Sequence, residues 1–92
     1  MSKAIKPVVD IPALLEATAD LESGHPIEIV LRQHGIPDRW TAYEVVDRYR
    51  KNLAHYESAT TAFYVDHWAK ACRELEPVVK AIEKHLEGPH HA

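Results

Sequence analysis

Ninety-two residues, 46% of them hydrophobic, with a net charge of −3 and one cysteine, describe one small domain and exclude several classes of protein. One cysteine closes no intramolecular disulfide and builds no thiolate metal cluster. A slightly acidic chain carries no basic stripe of the kind a phosphate backbone needs, so nucleic acid is not an expected partner.

A chain this short buries about 60–65% of its unfolded surface, so its core is thin and a partner subunit would add to it. The two signs of charge stay mixed along it: three basic against five acidic residues from Met1 to Gly35, four of each from Ile36 to Glu57, and four against five from Ser58 to Ala92. The opening MSKAIKPVVD has two lysines but no apolar run of signal-peptide length. No later segment is apolar over the ~20 residues a bilayer requires, so no membrane is expected and a cytoplasmic location is the default. The closing GPHHA reads as a flexible tail over 88–92.

Helical spacing dominates, and the period-two alternation of a half-buried strand is absent. Asp10 is placed to cap a first helix over 11–22, with Pro12 in its first turn and Ile11, Leu14, Leu15, Thr18 and Leu21 recurring at three and four. Ser23-Gly24 stops it. Pro26 opens a second helix over 26–34, with Ile27, Val30, Leu31 and His34 on one side. Gly35 suits the left-handed position that follows, from which Ile36 folds back onto Leu31. The third helix, over 41–56, has the clearest start: Thr41 and Glu44 form a capping box, and Trp40 and Val45 occupy the staple positions. Its apolar stripe is Ala42, Val46, Tyr49, Leu53 and Tyr56. Glu44–Arg48 and Asp47–Lys51 are ion pairs in the favourable order on its solvated side.

The fourth helix, over 60–87, is the longest. Val65, Trp68, Cys72, Leu75, Val79, Ile82 and Leu86 are spaced 3, 4, 3, 4, 3, 4, a heptad seam. Carrying the third helix's phase forward predicts Thr60, Phe63 and His67 as the next stripe members, yet the seam starts at Val65. That phase break, with Ser58, Thr60 and Thr61 clustered at it, argues for a turn or a kink near Glu57 to Thr61, with a helical hairpin preferred over one kinked helix. Pro77 lies opposite the seam, where it bends the helix and leaves the apolar pattern unbroken. The expected fold is all-α: a small four-helix domain over 1–92, its last two helices forming a long antiparallel hairpin that the first two close on one side.

Seven histidines raise the question of a metal site, and spacing answers it. Glu22 and His25 are the only Glu-x-x-His pair and straddle Ser23-Gly24. Asn52 and His55 form a weak i,i+3 pair, and His67 has Asp66 beside it pointing away. No His-x-x-x-His occurs. Cys72 lies on the seam and reads as a small buried hydrophobe, not an activated thiolate. Three isolated glycines build no phosphate loop. The segment from Ile27 to Arg50 has a superficial helix-turn-helix look, but Thr41 and Glu44 stand where that motif needs apolar residues. No catalytic residue, cofactor or metal is expected. What remains is a surplus of aromatic residues off the seam, Phe63 and Tyr64 above all, with Tyr43 and the Trp40 region. They read either as core closure or as anchors of a partner-binding face.

At His55-Tyr56 and at Tyr64-Val65-Asp66-His67-Trp68 the sequence resembles the N-terminal helical part of the nitrile hydratase β subunit, shared with related accessory proteins and thiocyanate hydrolase subunits. Members have a helix ending near a tyrosine, a short connection, and Tyr-Tyr-x-His-Trp opening a helix with an Ala-x-x-x-Leu-like continuation. Here the tyrosine is Tyr56, seven residues intervene, and Tyr64, Val65, Asp66, His67 and Trp68 are followed by Ala71 and Leu75, with Arg48 eight residues before Tyr56. The resemblance covers roughly Tyr43 to Glu76. It departs at Val65, where the family has a second tyrosine, and lacks the family's glycine-rich start and β-barrel half.

The resemblance implies a role without chemistry of its own. In that family a cysteine cluster of the α subunit holds the cobalt or iron, β-type helices embrace that subunit, and stand-alone relatives act as chaperones or activators during metal loading. With Phe63 added from the off-seam surplus, the expected partner-binding residues are Tyr56, Phe63, Tyr64, His67 and Trp68. The expected function is a non-catalytic accessory protein or small subunit whose partner is a metalloenzyme α-type subunit. Two other readings stand beside it: a helical adaptor that homodimerises through the seam, and a metal or cofactor binder using His55 and His67. If Trp68 is core, Trp68→Ala costs about 3–5 kcal/mol, measured by urea titration, which is enough to unfold so small a domain. A soluble, fully helical variant that loses only its partner makes Trp68 an interface residue instead.

Overall fold

Side-chain caps open the first and third helices of this chain. The computed structural model describes residues 5–87, and all the regular structure among them is helical. The first four residues and the 88–92 tail lie outside the described residues. The Asp10 carboxylate accepts the Ala13 amide at 3.2 Å and opens α1, Ile11–Ala19, with Pro12 in the first turn. This helix ends earlier than the apolar spacing suggests. The Thr18 hydroxyl donates to the carbonyls of Leu14 and Leu15 in its last turn, and the chain leaves the helix at Asp20 while Leu21 still packs on the core.

Pro26 has no side-chain group to cap α2, Ile27–Gln33, so its neighbours do the work: His25 Nδ1 accepts the Ile27 amide at 3.2 Å, and the Glu28 carboxylate accepts the Gly24 amide at 3.1 Å. At the far end Gly35 takes φ +79°, its amide bonds the Arg32 carbonyl, and the Ile36 amide bonds the Leu31 carbonyl. Only a residue without a Cβ adopts that left-handed conformation cheaply, and the paired bonds fold Ile36 onto the core. Ile27 and Leu31 are buried. His34, expected on the same side, is exposed at the C-cap.

In α3, Ala42–Ser58, both halves of the capping box are present, each at 3.1 Å: the Glu44 amide donates to the Thr41 hydroxyl, and the Thr41 amide donates to the Glu44 carboxylate. That engagement explains a departure from the sequence pattern. The Glu44–Arg48 ion pair is not among those formed by the described residues, because Glu44 turns back on the cap and the Arg48 guanidinium sits 5.3 Å from the Trp40 ring centre. Asp47 does pair with Lys51, at 3.2 Å, and also with Arg50, at 2.6 Å. The Arg50 hydrogen bond is the main influence holding its carboxyl below the ordinary value, against an opposing effect of burial. Such solvated pairs contribute about 0–1 kcal/mol each.

The last helix, α4, runs Ala62–Glu87 without a break through the exposed Pro77. Its 26 residues span about 39 Å, which accounts for most of the molecule's 43 Å long axis. Only Ala59–Thr61 separates α3 from α4, so the pair is a true hairpin and not one bent helix. The helices run antiparallel: His55 meets Trp68 near the turn, and Trp40 and Val45 share a depression with Leu75 far from it. Cys72, Val79 and Ile82 are fully buried along the seam, while Val65, Trp68, Leu75 and Leu86 pack along its margins. Val45, Val46, Tyr49, Leu53 and Tyr56 line the α3 side, α1 packs on α3, and α2 packs on α4 and α3. The seam is therefore consumed inside one chain, which removes the surface on which a seam-paired homodimer would rely. No helix among the described residues is long and apolar enough to cross a membrane.

At the centre of this core the Tyr49 ring is fully buried, and its hydroxyl has no hydrogen-bond partner among the described residues. Burial raises its pKa. The nearby Val8 backbone opposes the shift, although it does not reach hydrogen-bonding geometry. The ring stabilises this core and the hydroxyl works against it. Tyr49→Phe is expected to leave stability unchanged or raise it, whereas Tyr49→Ala should cost about 3–5 kcal/mol. Urea denaturation of the two variants checks the contrast, and a Phe variant clearly weaker than wild type would show that the hydroxyl is satisfied.

Candidate partner-binding surface

The turn between α3 and α4 sets the geometry of the aromatic cluster. The Ser58 hydroxyl donates to the His55 carbonyl, the Ala59 amide bonds the Tyr56 carbonyl, and the Val65 amide bonds the Thr61 carbonyl to begin α4. Tyr64, Asp66, His67 and Trp68 thus occupy the first two turns of the helix. Residues 63, 64, 67 and 68 are i,i+3 and i,i+4 neighbours there, so their rings meet along one edge.

Five rings form a continuous ladder. Tyr64 meets Phe63 edge-on at 5.1 Å, Phe63 lies nearly parallel to His67 at 6.4 Å, and His67 meets Trp68 edge-on at 4.8 Å. The indole is then covered on another side by His55 from α3, stacked at 4.4 Å. The ladder passes from the core margin at Trp68 to open solvent at Phe63 and Tyr64, which are 71% and 54% exposed. A large ring left in water at the end of a supported row resembles an interface anchor more than a folding contact, since folding gains little from it.

Of the five residues expected to meet a partner, the structure brings Phe63, Tyr64, His67 and Trp68 together. Tyr56 parts from them: it is only 7% exposed and lies on the α3 stripe, where it fills the core and presents no free ring face. His55, read in the sequence as a metal candidate and as part of the resembling stretch, joins the ladder in its place. The signal that could have found it is the hairpin register, which sets His55, four residues before the turn, against Trp68, seven after it.

The described histidines do not cluster with one another or with other metal-ligating side chains. His55 and His67 both present their rings to Trp68, Asn52 is buried while its i,i+3 neighbour His55 is exposed, and His25 caps α2 with its ring 6.1 Å from His85. Among the described residues no group of three or more His, Cys, Asp or Glu could hold a metal. Burial, with a smaller contribution from Glu76, pushes the Cys72 thiol up, so it stays protonated and inaccessible.

One feature is visible only on the folded helix. Lys70, Arg73, Lys80 and Lys84 lie exposed on the outer face of α4, interspersed with the exposed acids Asp66, Glu74 and Glu87. Elsewhere, Trp40 is half-covered by Arg48, and Tyr43 and Ile29 are exposed singly.

No family model matches the chain, and neither a curated protein nor a solved structure matches it.

Because Phe63 and Tyr64 face solvent, Phe63→Ala and Tyr64→Ala should each leave unfolding free energy within about 0.5 kcal/mol of wild type. Thermal and urea unfolding followed by circular dichroism give the values. Trp68→Ala, at the core margin, remains strongly destabilising, and a loss above 2 kcal/mol at Phe63 would assign that ring to the fold instead.

Proposed function

We propose that this chain is a non-catalytic helical module that binds a partner protein through the aromatic end of its α3–α4 hairpin. The observation that carries this reading is the ladder from Trp68 outward, a row of rings held at its inner end and open at its outer end. Interface hot spots have this anatomy: rigid aromatic groups with few rotatable bonds, pre-positioned by a packed neighbour, so that little entropy is lost on docking. A fully buried, protonated Cys72 and histidines engaged in ring contacts and a helix cap are in keeping with a role that leaves bond chemistry to the partner.

The resemblance in Tyr64, Asp66, His67 and Trp68 supplies the partner class, a metal-holding α-type subunit of a nitrile hydratase or thiocyanate hydrolase type enzyme. In that role the chain acts in the cytoplasm as an accessory protein or small subunit. A seam-paired homodimer has less support, because the residues that would make it are already buried within the chain.

The test mixes the purified chain with a purified α-type subunit of a nitrile hydratase and follows association by sedimentation velocity. A complex is expected with the wild type. The Phe63→Ala/Tyr64→Ala double variant should weaken it at least ~30-fold, the effect of losing about 2 kcal/mol of anchor energy, with an unchanged circular dichroism spectrum. No complex with the wild type removes that partner class. A complex indifferent to the double variant removes the ladder as the binding site.

A further inference from the structure

The chain reaches α1 through a segment that no hydrogen bond holds to the helices. Residues 5–9 have no regular structure and pass along the core with a bend at Val8 and Val9. Val9 is buried, Ile5 and Val8 are partly buried against the core, and Lys6 and Pro7 face solvent. Among the described residues no hydrogen bond or ion pair ties 5–9 to the rest. Nor does α1 need this segment for its cap, which begins at Asp10: the carboxylate takes the Ala13 amide and the carbonyl takes the Leu14 amide. Three aliphatic side chains are therefore the attachment. The hairpin beneath is held far more firmly, with Val46, Tyr49, Cys72, Val79 and Ile82 fully buried between two hydrogen-bonded helices. Local opening starts where apolar contacts are few and backbone hydrogen bonds are missing, and here that place is 5–9.

Beneath the segment lies a group that gains from being uncovered. The Tyr49 hydroxyl is the buried side-chain polar atom left without a hydrogen-bond partner among the described residues, and the Val8 backbone stands near it without bonding it. We infer that Ile5–Val9 is a strap, hinged at Asp10, that lifts off a hairpin which stays folded, and that hydration of the Tyr49 hydroxyl favours the lifted form. Closed, the strap buries its aliphatic groups and leaves the hydroxyl unsatisfied. Lifted, it gives up that burial and lets water reach the hydroxyl. The two effects oppose each other, so the strap is poised between forms where a fully satisfied core would hold it shut. Lifting bares an apolar strip beside Tyr49, about two and a half turns of α3 from the hairpin end, so the device stands independently of the partner-binding reading.

The experiment places a thiol in the strap of the full chain, Val9→Cys, and follows alkylation of both thiols by mass spectrometry, each rate divided by its rate in the unfolded chain. Cys72, fully buried on the seam, reports opening of the hairpin. The strap thiol should react at least about tenfold faster than Cys72, and its rate should rise less steeply with urea, because lifting exposes less surface than unfolding. Adding Tyr49→Phe removes the gain from hydration and should slow the strap thiol at least about fivefold. Equal normalised rates with equal urea slopes for the two thiols would show that 5–9 leaves only when the whole domain unfolds, and would overturn the inference. A strap thiol that Tyr49→Phe leaves unchanged or speeds up would overturn it too, since the Val8 backbone would then be satisfying the hydroxyl. If circular dichroism shows the Val9→Cys chain to be unfolded, Val8→Cys takes its place under the same criteria.

Discussion

A helix of 26 residues in a chain this small is possible only if its apolar side is covered along its whole length, and the burial of that side organises everything else. Cys72, Val79 and Ile82 vanish completely beneath the shorter helices, α3 runs back alongside from the three-residue turn, and α1 and α2 close the remaining flanks. At roughly 25 cal/mol per Å² of apolar surface, a few such residues outweigh all three of the described ion pairs, which lie in solvent. The heptad pattern that in other chains makes an intermolecular coiled coil here makes an intramolecular one.

Covering the seam leaves two features uncovered. At the hairpin end, α3 stops at Ser58 while the rings of α4's first turns extend past its cover, so Phe63 and Tyr64 stay largely exposed, in contact with each other and, for Phe63, with His67. Along the back of α4 the charged side chains are of both signs, Lys70, Arg73, Lys80 and Lys84 alternating with Asp66, Glu74 and Glu87. The same helix therefore stabilises the fold with one face and presents aromatic and charged groups with the other. His55 and His67 link the two, since both lean on Trp68 at the boundary.

Much of this architecture is legible in the sequence because its signals are local. Thr41 with Glu44, Asp10 with Pro12, and Gly35 with Ile36 act over three to six residues, and each closes the hydrogen bonds its pattern implies. The phase break at Ser58 to Thr61 marks the turn for the same reason: a helix cannot change its buried side without interruption. What escaped depends on contacts distant in sequence or on competition between local partners. Glu44 had a choice between Arg48 and the Thr41 cap, and the cap won. Helix α1 stopped at Ala19 although Leu21 keeps its apolar phase. In the candidate site, Phe63, Tyr64, His67 and Trp68 could be picked out as off-seam aromatics or as part of a resembling motif. Tyr56 belonged by its spacing to the α3 stripe and proved buried there. The contribution of His55 requires knowing the hairpin register.

The central claim is that one chain closes its own seam and leaves the aromatic end of the hairpin open. Paramagnetic relaxation by a soluble gadolinium chelate, read at side-chain protons in dilute and concentrated samples, tests it most directly. The account predicts strong relaxation of the Phe63 and Tyr64 rings at both concentrations and none at the Val79 and Ile82 methyls. Relaxed seam methyls, or rings that become shielded as concentration rises, would contradict it.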